Sequence, residues 1–397
     1  MRYSTPFKAG AVTAIAVLAL SACAPAATDA DGGSEAPSEV SIGVITSETG
    51  PLASYGEQYL DGFRAGLDYA TDGTGEVDGT TLDVQVVDDA GDPDKAVTSA
   101  KGLIGQGVGI LAGSASSGVA GVLAEQAQQN EVLFISGPAA VDSITGANDY
   151  TFRSGRQSAQ DVATAGTFLD DIDGSKVTVL AQNNAFGEGN VAAVESILGA
   201  EGAEVAPVLV AEDVTEFTSF AQQVVSSEPD LVFVAWAGAT TGAMWQAMSQ
   251  QGVFEEIPVV TGLGDSATFN SYGAAAEEIN FLNHYVPEAP DNEVNDHMVS
   301  AVEESGGTPD LFTPDGFNAA LMVVEAVSQG AGDVDAMIGA LEGFEFEGPK
   351  GTNTVRAGDH ALIQDMYQVK LVEDGDAVSP ELVGTVPGED VAPAEAE

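Results

Sequence analysis

One pattern constrains the fold of this chain more than any other. A short apolar run breaks at a small-residue turn and passes directly into helix-periodic spacing. Val108 to Ala112 is such a run; Gly113 breaks it, Ser114 to Ser117 follow, and Val119, Val122, Leu123 and Ala127 return at helical spacing. The pattern predicts a buried parallel strand over 108–112 and a helix over 118–129. It has neighbours of the same kind. Strands are predicted over 40–46, 81–87 and 132–136, with helices at Tyr59, Phe63 and Leu67 and over 96–104. It then restarts, with strands over 176–181, 204–209, 231–236 and 259–262 and helices over 191–198, 217–226 and 242–250. Alternating βα units imply parallel sheets covered by helices on both faces. Two runs imply an α/β protein of two Rossmann-like lobes, and in such sheets ligands bind beyond the carboxyl ends of the strands.

The ends of the chain read differently. Arg2 and Lys8 precede an apolar run from Ala9 to Leu20, and Leu20-Ser-Ala-Cys23 follows, so residues 1–22 read as a secretory signal. The run is too short for a comfortable membrane span. Cys23 is the only cysteine and stands just after the cleavage-like site. That arrangement resembles the lipobox of bacterial lipoproteins, which makes Cys23 a lipid anchor to the membrane. Residues 23–39, rich in Ala, Pro, Gly, Ser and acid, read as a flexible tether, and residues 386–397 read as an acidic tail of the same character. The stretch between is too long for one small core and suits two lobes.

Charge narrows the function. The chain has 62 acidic and 11 basic residues, a formal net charge of −51. Such a surface repels nucleic acid, so no nucleic-acid partner is expected, and self-repulsion favours a monomer. No catalytic set emerges. His284, His297 and His360 are scattered and read as structural, so no metal or other cofactor is expected. Asp88 to Asp94 is acidic but lacks the closing glutamate of a calcium loop, and reads as a turn at a strand end. A secreted hydrolase on the same scaffold and an adhesive envelope protein stand as alternatives.

Four motifs carry a family resemblance. They are Ile42-Gly-Val-Ile-Thr-Ser-Glu-Thr-Gly-Pro-Leu-Ala-Ser-Tyr-Gly56, Asp88-Asp-Ala-Gly-Asp-Pro-Asp-Lys-Ala96, Phe186-Gly-Glu-Gly189 and Pro229-Asp-Leu-Val-Phe233. In this order and spacing the chain resembles the leucine/isoleucine/valine-binding type of ABC-importer receptor, from about residue 40 to about residue 372. The resemblance implies a type I periplasmic-binding-protein fold with three hinge crossings, placed near 152–156, 283–287 and 348–353. Lobe 1 is then 40–155 with 286–347, and lobe 2 is 156–285 with 348–385. It also implies an extracytoplasmic, lipid-anchored, non-enzymatic receptor. Such a receptor would deliver an amino acid or related small carboxylate to an ABC importer permease. An amide or non-amino carboxylate is the alternative ligand.

Site residues follow from both readings. Ser117 opens a helix N-terminus, where free N–H groups and the helix dipole favour an anion, and the family's contact serine aligns with it. The plain alternative is an N-cap serine in an ordinary loop. Ala139 and Ala140 occupy the next anchoring loop of the family, and Tyr55 and Phe186 fall at its contact positions. Trp236 and Ala237 end a strand at the rim of the second lobe; Trp236 and Phe186 could instead be core. The family's ammonium-pairing glutamate falls in Gly262-Leu-Gly-Asp265, where glycine stands at the aligned position. That leaves Asp265 either to pair the amine or to cap the next helix.

Overall fold

The computed structural model of the chain describes residues 37–169, 171–262, 264–283, 285–330, 332–374 and 377–396. The signal sequence, Cys23, nearly all of the tether and His284 lie outside the described residues.

Strands alternate their side chains between two faces, and each sheet uses both. The first sheet holds β1 (Glu39–Thr46), β2 (Glu76–Val77), β3 (Thr80–Asp88), β4 (Ile110–Gly113), β5 (Leu133–Ser136) and β6 (Thr151–Arg153) in the order β2-β3-β1-β4-β5-β6. All neighbours are parallel except β2 with β3. Ile42, Val44, Ile110, Ala112, Leu133 and Ile135 face α1 (Ala53–Ala70) and a helical pair late in the chain. Ile45, Leu111 and Phe134 face α2 (Pro93–Gly105) and α3 (Ser117–Asn130).

The chain leaves this sheet after Arg153 and forms α4 (Ser158–Gly166), which packs on the second lobe. There β7 (Lys176–Gln182), β8 (Glu204–Val210), β9 (Leu231–Ala235), β10 (Val259–Gly262) and β11 (Ile279–Asn283) run parallel in the order β8-β7-β9-β10-β11. Val177, Val179, Phe233 and Val260 face α4 and α5 (Ala185–Ile197). Leu180, Val232, Val234 and Phe281 face α6 (Thr218–Ser226) and α7 (Thr241–Gln250), whose Trp245 is core. A short α8 (Val253–Glu256) precedes β10.

Past β11 the chain returns to the first lobe. α9 (Glu293–Glu304), α10 (Thr313–Gly330) and α11 (Val334–Leu341) pack on and beside α1 and the face of its sheet. The third crossing departs from expectation. The segment 348–363 stays with the first lobe. It forms a small antiparallel sheet of β12 (Glu345–Gly348), β13 (Gly351–Val355) and β14 (Leu362–Ile363), and Phe346, Val355 and Leu362 sink into the first core. The chain joins the second sheet only at β15 (Met366–Asp374), which pairs antiparallel with β11 and then with β16 (Ala377–Val386). The physical reason is the pairing of two polar-alternating strands across the turn at Pro349–Lys350, which keeps Phe346 and Val355 on one buried side.

The acidic tail also departs from expectation. Val391 is buried, Arg356 donates to the carbonyls of Pro393 and Ala394, and the Ala396 N–H donates to Asp359. One arginine, itself paired with Asp359 at 2.6 Å, straps the tail to the first lobe.

Candidate functional site

In both sheets the order of the first five parallel strands is 2-1-3-4-5, counted within each lobe. The direction of winding therefore reverses between β1 and β4, and again between β7 and β9. Loops at such switch points splay apart and leave a crevice beyond the carboxyl ends of the strands. The two crevices share one cavity of about 510 Å³. The first lobe lines it with Pro51, Leu52 and Tyr55, with Ala115 to Gly118, and with Pro138, Ala140, Arg156 and Phe312. Asp161 on α4, Gln182, Asn184 to Phe186, Asn190, Ala235 to Thr240 and Thr261 line it from the second.

The first-lobe loops are held by one buried carboxylate. Asp89 accepts from the Ser47 hydroxyl at 2.6 Å and the Ser114 hydroxyl at 2.7 Å, which ties the turn after β1 to the turn after β4. The neighbouring Asp88 accepts from the Glu48 and Thr49 N–H groups, the Thr49 hydroxyl and Lys95. Those bonds, the Thr49 hydroxyl first, hold its carboxyl well below the usual range. The acidic 88–94 stretch is thus a fastening at the cavity wall, which its Ala90, Gly91 and Pro93 line, and Asp92 caps α2. Gly113 admits no side chain, because a Cβ there would meet the Ile45 carbonyl oxygen at 1.9 Å.

This fastening presents the start of α3. Ser116 is the N-cap, and its hydroxyl accepts from the Val119 N–H. Ser117 is the first helical residue and lines the cavity. Among the described residues no acceptor serves the N–H groups of Ser117 or Gly118, and none serves the N–H of Ala140. Free N–H groups at a helix start attract an anion.

Of the other expected residues, Tyr55, Phe186 and Trp236 line the cavity and are half-buried. Tyr55 packs edge-on against Phe312 with ring centroids 4.7 Å apart. Trp236 packs edge-on against Phe217 and donates from Nε1 to the Thr240 hydroxyl. Ala237 also lines the cavity, but the Gln182 side chain takes both its N–H and its carbonyl, so it offers only surface.

Two residues lie elsewhere. Ala139 is buried behind the lining. Its N–H donates to the Ser114 carbonyl and its own carbonyl accepts from Arg153, so it has no donor left for a ligand. Asp265 is also outside the lining. The Gln58 side chain of α1 donates to its Oδ2 at 3.4 Å, and its side chain makes no capping bond to the 3-10 helix Ser266–Ala275. The reason is a turn at Gly264, whose N–H donates to the Tyr272 hydroxyl, so that Asp265 faces the other lobe instead of the cavity. Beside it the Ser266 N–H and hydroxyl donate to Asp310 of the first lobe at 2.8 and 2.6 Å. These bonds join the two lobes at one edge of the cavity.

Arg156, Asp161, Gln182 and Phe312 were not anticipated from the sequence. One signal was available: Arg153 and Arg156 stand together at an expected crossing in a chain with very few cations. Arg153 is a buried support, donating to Thr145, Ala139 and Val141. Arg156 lines the cavity and lies 3.3 Å from Asp161.

Burial pushes the carboxyls of Asp142, Asp161 and Asp310 up. A raised carboxyl keeps its proton in the folded chain after the unfolded chain has lost it. Its contribution is full below the unfolded value of about 4 and is lost as pH rises through the folded value. The melting temperature is therefore expected to be higher at pH 5.0 than at pH 6.5 at fixed ionic strength. An equal or lower value at pH 5.0, measured by scanning calorimetry, contradicts this.

Two α/β lobes facing across a cavity, with anion-ready backbone on one side and an aromatic wall shared by both, define a bilobal solute receptor. The family model for periplasmic binding proteins matches residues 39–376, and the chain belongs to that family. It is similar to a Leu/Ile/Val-binding protein homolog of Brucella melitensis, 26% identical over 88% of this chain and 95% of that one. The crystal structure of an ABC-type branched-chain amino acid transporter from Rhodopseudomonas palustris is 31% identical. It covers 90% of this chain and all of its own, with a TM-score of 0.75. A solute-binding protein of an ABC transporter from another R. palustris strain, in complex with 3,4-dihydroxybenzoic acid, is 25% identical with a TM-score of 0.76. It covers 88% of this chain and 98% of its own.

Proposed function

We infer that the protein is an extracytoplasmic receptor that captures an amino acid or related small carboxylate between its lobes and hands it to an ABC importer. The observation that carries this is the cavity at the paired switch points, where Ser117, Gly118 and Ala140 offer unpartnered N–H groups beside the start of α3. Tyr55, Phe186, Trp236 and Phe312 supply apolar surface for the rest of the ligand. The relatives support the class: two carry branched-chain amino acid names, and the third holds an aromatic carboxylate.

The test is mass spectrometry of small molecules released by denaturing purified protein, followed by calorimetric titration of what is found. A carboxylate recovered unchanged is expected, and a consumed one would favour the hydrolase. Ser117→Ala should weaken its binding by about 1.5–3 kcal/mol, the range for hydrogen bonds to charged groups. Parent-like affinity would remove the Ser117 hydroxyl from the site and leave its N–H.

The receptor is held to the outer face of the membrane through lipidated Cys23 and works as a monomer, as the lipobox-like Leu20–Cys23 sequence and the net charge of −51 suggest. Cys23→Ala should move the protein from the membrane fraction to the medium; retention in the membrane fraction argues against the anchor.

A further inference from the structure

After its third crossing the chain passes between the lobes once more, at its very end. β16 pairs with β15 in the second sheet and stops at Val386. The Gly388 N–H then donates to Asp365 Oδ1 at 2.9 Å. Gln364 and Asp365 are the link from β14 in the first lobe to β15 in the second. Gly388 presses on that link, because a Cβ there would meet the Gln364 backbone at 2.7 Å. Beyond it Val391 is 2% exposed and Pro393 is buried. Arg356 of the first lobe donates from Nη1 to the Pro393 carbonyl at 2.7 Å and from Nη2 to that of Ala394 at 3.5 Å. The Ala396 N–H donates to Asp359 Oδ2 at 3.0 Å.

The seat of this tail belongs to the hinge as well as to the first lobe. Asp359 is 1% exposed, and its carbonyl accepts from the Gly146 N–H. The next residue, His360, stacks on Phe152 with ring centroids 3.8 Å apart, and its carbonyl accepts from the Arg153 N–H. Phe152 and Arg153 end β6, from which the first crossing departs. A tail that only solvates the chain would bury no apolar residue and fix no carbonyl.

We propose that residues 387–396 form a fourth, non-covalent crossing, a strap that restrains the opening of the two lobes. Residues 389–392 alone lie between Gly388 on the third crossing and Pro393 on the first lobe, and within them the Asp390 N–H turns back to the Pro387 carbonyl. Parting the lobes there unwinds that turn or draws Val391 and Pro393 from their seats. The second course returns apolar surface to water and takes two acceptors from Arg356. The strap therefore favours the joined arrangement before any ligand arrives, and so sets the fraction of free receptor that is ready to bind. The inference rests on the receptor reading above only in that the lobes move.

The test measures the spacing of the lobes without ligand. Spin labels at Glu125→Cys in α3 and Glu195→Cys in α5, both exposed, report it by double electron–electron resonance in the Cys23→Ala chain, which has no other cysteine. Deleting residues 391–397 should raise the population at longer separations about fivefold or more. Val391→Asp, which unseats the strap and keeps its length, should shift it in the same direction, and carries the test should the shortened chain not fold. A distribution unchanged, or moved to shorter separations, in the variant that folds overturns the strap. The twenty L-amino acids and 4-hydroxybenzoate are then added to the labelled parent. If one of them redistributes the separations while the variants do not, the receptor reading stands without the strap. If neither the variants nor these compounds move them, both fall.

Discussion

Gly316→Ala is expected to lose more than about 3 kcal/mol of folding stability, the upper part of the range for overpacking a core. Helices α1 and α10 cross with glycine on both sides. A Cβ on Gly316 would stand 1.9 Å from the Tyr59 carbonyl oxygen, and a Cβ on Gly62 would stand 1.8 Å from that of Thr313. Gly66 repeats the contact one turn on, at 2.6 Å from the Phe317 carbonyl oxygen. Both obstacles are backbone, so no rotamer change relieves them and the helices must separate. Separation uncovers Tyr59, Phe63, Ala319, Ala320 and Val323 of the first core. The gain in helix propensity, about 1 kcal/mol, offsets only part of this. Gly121→Ala in α3 is the control, because a Cβ there meets nothing within 4 Å. It should leave stability unchanged or raise it by up to about 1 kcal/mol. Urea unfolding followed by circular dichroism reads both. A Gly316→Ala midpoint equal to the parent's would show that the helices can part without loss.

The crossing also marks what a linear reading reaches. The βα units over 40–136 and 176–262 were legible because each strand is an apolar run that stops at small residues, and each helix has a periodic face. Their order fixed the lobes and the position of the cavity. The antiparallel additions were not legible. The strands at 345–355 alternate polar and buried positions, 362–363 is only two residues long, and nothing local says which lobe they join. The hold on the tail rests on Arg356, whose partners Pro393 and Ala394 lie 37 and 38 residues away. The site divides in the same way. Ser117 was legible because a helix start is a local feature with its own chemistry. Ala139 and Asp265 were carried over by position in a loop, and whether a loop residue faces the cavity depends on one turn, here Gly264 with Tyr272. Arg156 and Asp161 sit on opposite sides of the start of α4, and their meeting is a product of the crossing.

Asp310→Ala is expected to weaken ligand binding by roughly tenfold to a hundredfold without touching the ligand. Asp310 precedes α10 on the first lobe and accepts from the N–H and hydroxyl of Ser266 on the second, while Gln58 of α1 reaches Asp265 beside it. The Gln58 side-chain Oε1 also accepts from the Phe312 N–H, so the latch is tied to a wall of the cavity. These bonds exist only while the lobes are together. Hydrogen bonds to a charged group are worth about 1.5–3 kcal/mol, which is the size of the expected loss. A ligand that touched both the Ser117 side of the cavity and the Phe186 and Trp236 side would also make its full contacts only in that arrangement. Ligand and latch therefore favour the same state, and weakening the latch lowers the fraction of protein competent to bind. Acting against them is the repulsion between two acidic lobes, which added salt screens. Small-angle scattering should show the parent contract on saturation with the ligand recovered by mass spectrometry. Asp310→Ala should contract to the same radius only at higher ligand concentration, and the difference should narrow in 0.5 M salt. A parent radius of gyration unchanged by saturating ligand would remove closure from the mechanism. Parent-like affinity in Asp310→Ala would leave closure intact and show that the ligand alone holds the lobes together.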